Sequence, residues 1–140
     1  MSCDLQFTNT ASGNKWKGKT KIYKFSPHPD TYPVCEFIVG FAGSASQIIT
    51  IAEFFSAPDN FNKAPKVGPC LGLVLTAKGQ IFMFDDYTKW LAVNEPYHAI
   101  GSGSDYALGA MALGATTKEA VKIASKHDSY SGMGIKTLKF

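Results

Sequence analysis

The sequence predicts an α+β fold, a largely antiparallel sheet with helices packed on its faces. Two observations carry this. Short strand-like apolar runs follow one another through brief, hairpin-like joins, where a parallel sheet would need crossover helices. Helical periodicity appears once early in the chain and twice in succession late, just before a last strand.

Taken in order, residues 1–8, "MSCDLQFT", read as a strand already under way, with no turn or cap before it. Residues 10–18 read as a polar loop. "KIYKF" at 21–25 is a short strand stopped by "SPHPD" and its two prolines. "EFIVGF" at 36–41 is an apolar strand running into "AGSAS". Residues 44–55 form a helix that Ser44 or Ser46 can cap, with Ile48, Ile51, Ala52 and Phe55 as one stripe. "SAPDNFNKAPKVGP" is a Pro/Asn loop without periodicity. Residues 71–76 and 80–85, joined by "AKG", read as a β-hairpin, and 90–93 as another short strand.

The densest signals lie in residues 98–134. Ser104 and Asp105 can cap and charge a helix start. Ala107, Gly109, Ala110 and Ala112 permit close backbone approach, and Gly114 suits the stop. Thr116 and Glu119 have capping-box spacing for a second helix, whose Ala120, Ile123, Ala124 and His127 share one face. A Gly/Ser turn precedes the pair and another follows it; the second carries Asp128. The pattern by itself describes a helical hairpin covering a core, because periodicity reports packing and not chemistry. "GIKTLKF" closes the chain as a last strand.

The 140 residues suit one domain, 1–140, with ordinary globular composition: 45% hydrophobic and 18% charged. The net charge of +3 is mild, and Lys15, Lys17, Lys19, Lys21 and Lys24 read as a solvated face rather than a nucleic-acid patch. Cys3, Cys35 and Cys70 lack metal-ligand spacing and read as reduced thiols, which together with the absence of a leader pattern predicts a cytoplasmic protein. No apolar run is long enough to span a membrane. His28, His98 and His127 read as structural or exposed. No cofactor and no metal is expected.

One motif argues for a different chemistry. "GNKWKGKT" at 13–20 satisfies the phosphate-cradling pattern G-x-x-x-x-G-K-[ST], and "IFMFD" ending at Asp85 has the form of its magnesium-holding strand. The context opposes it. A phosphate loop needs a helix starting at its Lys-Thr, so that free N–H groups face the phosphates. Here "KTKIYKF" has strand character and Pro27 and Pro29 leave no room for a helix.

Several stretches resemble, in the right order, the β-type subunits of the proteasome and the bacterial peptidase HslV, which are N-terminal-nucleophile (Ntn) hydrolases. "SCDLQFT" resembles the family's second strand with its active-site Asp, and "KGKTKIYKF" the segment with its active-site Lys. "IVGFAGSASQIITIAEFF" resembles the strand, Gly turn and first helix, and "AIGSGSDYALGAMALGATTKEAVKIASKHDSYSGMGI" the later helix pair and following strand. The resemblance implies an Ntn-hydrolase sandwich, antiparallel sheets between helix layers. It implies a threonine-type peptidase in which the hydroxyl of a terminal Thr attacks a peptide carbonyl and the α-amino group takes the proton. It assigns Asp4 and Lys21 to the carboxylate and ammonium beside that nucleophile, and the Gly40 N–H to the oxyanion hole. Ser102, Asp128 and Ser131 become the group around the terminal amine. An ATPase partner and ring assembly are also implied.

Two departures shape what is expected. In the family a strand bearing the Thr precedes the one matched to "MSCDLQFT"; here the chain begins inside that second strand, and no residue takes the nucleophile's place. The family's second long helix is replaced by "SAPDNFNKAPKVGPC". The expectation is a peptidase homologue that is inactive as given. The alternatives are a non-enzymatic oligomeric or binding protein on the same fold, a Ser2 N-terminal hydrolase, and a nucleotide binder. An unpaired edge beside residues 1–8 predicts self-association.

Overall fold

The computed structural model describes residues 1–8, 11–26, 35–56, 68, 70–85 and 89–140. In chain order the elements are β1 (Ser2–Asp4), β2 (Gln6–Thr8), β3 (Lys15–Lys17), β4 (Ile22–Phe25), β5 (Phe37–Gly43), α1 (Ala45–Ser56), β6 (Cys70–Thr76), β7 (Ile81–Phe84), β8 (Leu91–Val93), α2 (Ser104–Ala112), α3 (Thr117–His127) and β9 (Ile135–Thr137). Among the described residues every strand pair is antiparallel. The protein is a mixed α/β fold with antiparallel sheets and, among the described residues, three helices.

The main sheet has the order β4-β5-β6-β7-β8. Strand alternation sends Phe37, Val39 and Phe41 to one face, where they meet Ile48, Ile51, Ala52 and Phe54 of α1. Val39 and Val74 are fully buried, and burying each such side chain contributes roughly 1.5–3 kcal/mol. Phe55 and Trp90 complete this layer, their ring centroids 6.1 and 5.7 Å from that of Phe37. The opposite face of the sheet presents Gly40, Ala42, Leu73 and Ile81 to a cavity.

Across that cavity, α2 and α3 pack on each other through Ala107, Ala110, Met111, Ala120 and Ala124, a core separate from the first. The small side chains let the two backbones approach. Helix α3 lies against both β1 and β9, which form a two-stranded sheet of their own. The capping box at Thr116 is present: its hydroxyl accepts from the Glu119 N–H at 3.3 Å, and its own N–H donates to the Glu119 carboxylate at 2.8 Å.

Four expectations need correction. Residues 1–8 are two strands, because the Leu5 N–H leaves the ladder for the carbonyls of Gly132 and Gly134, 3.1 Å from each. The segment 10–18 contains β3, which pairs with β2 so that Trp16 stacks on Phe7 at 5.9 Å. Ser104 is not a cap; Gly103 holds the N-cap position and Ser104 begins the helix, with Asp105 in its first turn. In α3 the predicted stripe is half buried: Ala120 and Ala124 are inside, while Ile123 is exposed and His127 stacks on Tyr106 at the surface. The bridge at 57–67, Pro69 and His28 lie outside the described residues.

Candidate functional site

Two polar clusters meet at the rim of the cavity. The first joins β1 to the start of β4. Lys21 Nζ lies 3.1 and 3.2 Å from the two carboxylate oxygens of Asp4, and both side chains are 16% exposed. Asp4 Oδ1 also accepts from the Gln6 N–H at 2.8 Å, which follows from the strand break at Leu5. The ring of Phe7 sits under the Lys21 ammonium, 5.1 Å to the centroid, and adds a cation–π contact. This geometry fixes a carboxylate and an ammonium against each other at one place.

The second cluster is built at the C-terminus of α3. Asp128 is the C-cap, its N–H donating to the Ala124 carbonyl. Its Oδ2 accepts from Ser102 Oγ and from Ser131 Oγ, each at 2.6 Å, and its Oδ1 from the Tyr130 N–H at 3.1 Å. Partial burial alone would push this carboxyl up. The two hydroxyls, the Tyr130 N–H and the nearby Lys21 charge overcome that and hold it below the ordinary carboxylate value. The two turns can approach because residue 103 is glycine: a Cβ there would stand 3.0 Å from Ser131 Oγ and 3.3 Å from Asp128 Oδ2.

The clusters are tied together by the Gly132 N–H, which donates to Asp4 Oδ1 at 3.3 Å. The cavity behind them measures about 1070 Å³. Its walls are mostly apolar, with Ala42, Leu73 and Ile81 on the sheet side and Met111, Ala120 and Val121 on the helix side. Asp4, Lys21, Ser102 and Ser131 border the same space. Residues 1 to 4 all line it, so β1 presents an edge as well as a face, and among the described residues β9 alone pairs with β1.

Gly40 is inside β5, opposite Ile22 on one side and Leu73 on the other. Phe41 donates its N–H to Lys21, so alternation turns the Gly40 N–H toward β6. Met1 Sδ packs 3.0 Å from where a Gly40 Cβ would lie. Ser2 Oγ lies 3.0 Å from Thr117 Oγ1 and 2.9 Å from Thr137 Oγ1. Burial pushes the Cys3 thiol up despite nearby donors from Lys21 and Lys136, and takes the Cys70 thiol to about 11, so neither is a ready nucleophile.

The phosphate-loop motif has no phosphate-loop shape. Its middle, Lys15–Lys17, is a strand, and the Thr20 hydroxyl is turned inward to the backbone of Ile22. Among the described residues no group of acidic, His or Cys side chains could hold a metal ion, and no helix is long and apolar enough to cross a membrane. Sequence reading missed Gln6, Phe7, Gly103 and Gly132. Only Gly103 left a signal, a glycine between two serines at a turn.

No protein-family model matches the chain, and a search of curated proteins finds no match. Among solved structures the fold is similar to that of Thiobacillus denitrificans BPH in complex with epoxomicin, with a TM-score of 0.69 and 19% identity over 96% of this chain and 88% of that one. A second solved structure, Thiobacillus denitrificans BPH, aligns at a TM-score of 0.69 and 18% identity over the same shares. At these identities the likeness is one of fold.

Proposed function

We propose that the chain is a threonine-type peptidase homologue with the Ntn-hydrolase sandwich of proteasome β-subunits and HslV, carrying the supporting half of that site. The observation that carries this reading is the convergence of four separate segments on one cavity rim: Asp4 paired with Lys21, and the Ser102–Asp128–Ser131 cluster linked to Asp4 through the Gly132 N–H. A fixed ammonium lowers the pKa of a neighbouring nucleophile or amine and stabilises developing negative charge. A carboxylate held ionised by two hydroxyls orients a proton carrier beside it. The fold likeness to a BPH solved with epoxomicin supports the same reading, since that relative takes a small ligand.

On this reading Asp4 and Lys21 flank the attacking group, and Ser102, Asp128 and Ser131 order the proton path; the Gly40 N–H, which faces β6 opposite Leu73, is not offered to an oxyanion. None of these groups is itself the attacking hydroxyl; Ser2 Oγ lies within hydrogen-bond distance of Thr117 and Thr137. Supporting groups without a nucleophile retain little catalysis, so peptide hydrolysis on this reading requires an N-terminal Thr beside them. The test is the intact mass and terminal sequence of the protein from its native host, with peptide–fluorophore hydrolysis and epoxomicin labelling of the same preparation. A longer chain beginning with Thr, labelled at that residue and silenced by Lys21→Met, supports the peptidase. Hydrolysis that survives Lys21→Met at full rate overturns the assignment.

A second reading, an assembly or binding protein on this fold, is favoured by the edge of β1. With β9 alone on it among the described residues, β1 offers main-chain groups to a second copy of the chain. A native Met1 or Ser2 terminus, no hydrolysis, and a dimer or larger by light scattering support this reading; a monomer removes it.

A further inference from the structure

We propose that Gln6 and Lys15 are positioning residues: together they set the peptide unit between Ser129 and Tyr130, and so the N–H that this unit donates to Asp128. The carbonyl of Ser129 accepts from Gln6 Nε2 at 2.9 Å and from Lys15 Nζ at 2.6 Å. The other end of the same planar unit is the Tyr130 N–H, which donates to Asp128 Oδ1 at 3.1 Å. Because the peptide is planar, gripping its oxygen fixes the direction of its N–H. Donors on the carbonyl also polarise the unit and strengthen the bond that its N–H makes.

The two donors come from the β2–β3 ribbon, 114 to 123 positions earlier in the chain. Gln6 is 5% exposed, and its Nε2 has a second acceptor in Thr8 Oγ1 at 3.1 Å, so the side chain has little freedom. Its own N–H donates to Asp4. One residue thus touches the Asp4–Lys21 pair through its main chain and the Asp128 turn through its side chain. Lys15 is exposed and reaches Ser129 from the facing strand, where it lies opposite Thr8. The ribbon is anchored next to this grip, since Leu5 donates to the carbonyls of Gly132 and Gly134 and accepts from the Gly18 N–H at 2.8 Å. The charged and titratable groups around Asp128 are Lys21 through space, Lys15 through the Ser129 carbonyl, and the adjacent His127 on α3.

The inference rests on treating the two clusters as one site, but its test needs no hydrolysis, so a chain inert toward peptides leaves it standing. The experiment is a carboxyl-carbon NMR titration of Asp128, with amide exchange of Tyr130, in Gln6→Met, Lys15→Met and Lys15→Arg. Gln6→Met removes the donor without changing charge. The expected result is a titration midpoint for Asp128 that rises toward the ordinary carboxylate value in Gln6→Met and Lys15→Met. Tyr130 exchange should speed by roughly fivefold or more, the factor of one ordinary hydrogen bond. Lys15→Arg should restore both. Folded variants that lose stability while Asp128 titrates and Tyr130 exchanges as in the parent would reduce both residues to structural props and overturn the proposal. Lys15 is exposed, so its variants carry the test even if Gln6→Met does not fold.

Discussion

Gly132 donates its backbone N–H to the Asp4 carboxylate across 128 positions of sequence, at 3.3 Å. Asp4 Oδ1 thereby serves Gly132, Gln6 and Lys21 at once. The consequence is mechanical coupling: β1 cannot shift along β9 without disturbing the turn that carries Ser131, and the turn cannot relax without loosening the ion pair.

Removing the cation should expose that coupling. Lys21→Met leaves Asp4 charged, mostly buried and served by two N–H groups alone, and should destabilise the fold by about 1–3 kcal/mol. Asp4→Asn in the same background should return part of the loss, since the unpaired charge is gone. Urea unfolding reads both as midpoint shifts at constant slope. A Lys21→Met midpoint equal to the parent's would mean that water already screens the pair.

Asp128 predicts the acid limb of stability. Its folded pKa lies below its unfolded one, so its contribution is fully present above the ordinary carboxylate value, ~3.9, and is lost as pH falls from there through the folded value. The difference in stability between parent and Asp128→Asn should be constant from neutral pH down to about 5 and shrink below it. Ser102→Ala and Ser131→Ala should each narrow that difference, since each removes one hydroxyl from Oδ2. Denaturant melts across the acid range measure it; a gap independent of pH would place the effect in packing.

How much of this was legible in the sequence depends on the range of the contact. The α1 stripe of Ile48, Ile51 and Ala52, the β6–β7 hairpin and the Thr116–Glu119 box were all readable, because each is decided within a few residues. The meeting of Asp4 with Lys21, and of Asp128 with Ser102, was expected only through family resemblance; no spacing rule connects positions 17 or 26 apart. The break at Leu5 was invisible, since its cause is a pair of carbonyls at 132 and 134. β3 was hidden because Lys-Trp-Lys alternates with its only apolar residue on one side, leaving a polar composition. Gly103 rather than Ser104 holds the N-cap, at a place where a Cβ would stand 3.0 Å from Ser131 Oγ, a long-range proximity that local preference cannot foresee.

The capping box offers a control outside the site. Thr116→Ala removes the acceptor of the Glu119 N–H and should cost about 1 kcal/mol, with fraying confined to the first turn of α3. Asp128 caps the opposite end of that helix, so its titration should not move. A changed Asp128 midpoint in this variant would show that helix fraying, not the local hydrogen bonds, governs the carboxylate.

A pair of glycine substitutions in and beside α2 should act with opposite signs. A Cβ at position 103 would stand 3.0 Å from both Ala124 Cβ and Ser131 Oγ, in a buried seam between rigid elements. Gly103→Ala should therefore destabilise by roughly 1–3 kcal/mol. By pushing the Ser131 hydroxyl off Asp128, it should also raise the carboxylate's titration midpoint. A Cβ at Gly109 meets nothing within 4 Å, and the position is an exposed helix interior. Gly109→Ala should stabilise by about 0.5–1 kcal/mol through lower unfolded-chain entropy and leave Asp128 unchanged. Thermal melts with the carboxyl titration decide the pair. Equal tolerance of alanine at both sites would mean that the 101–104 turn stands further from Ser131 than this geometry requires, and that the Ser102–Asp128–Ser131 cluster is looser than its 2.6 Å hydrogen bonds describe.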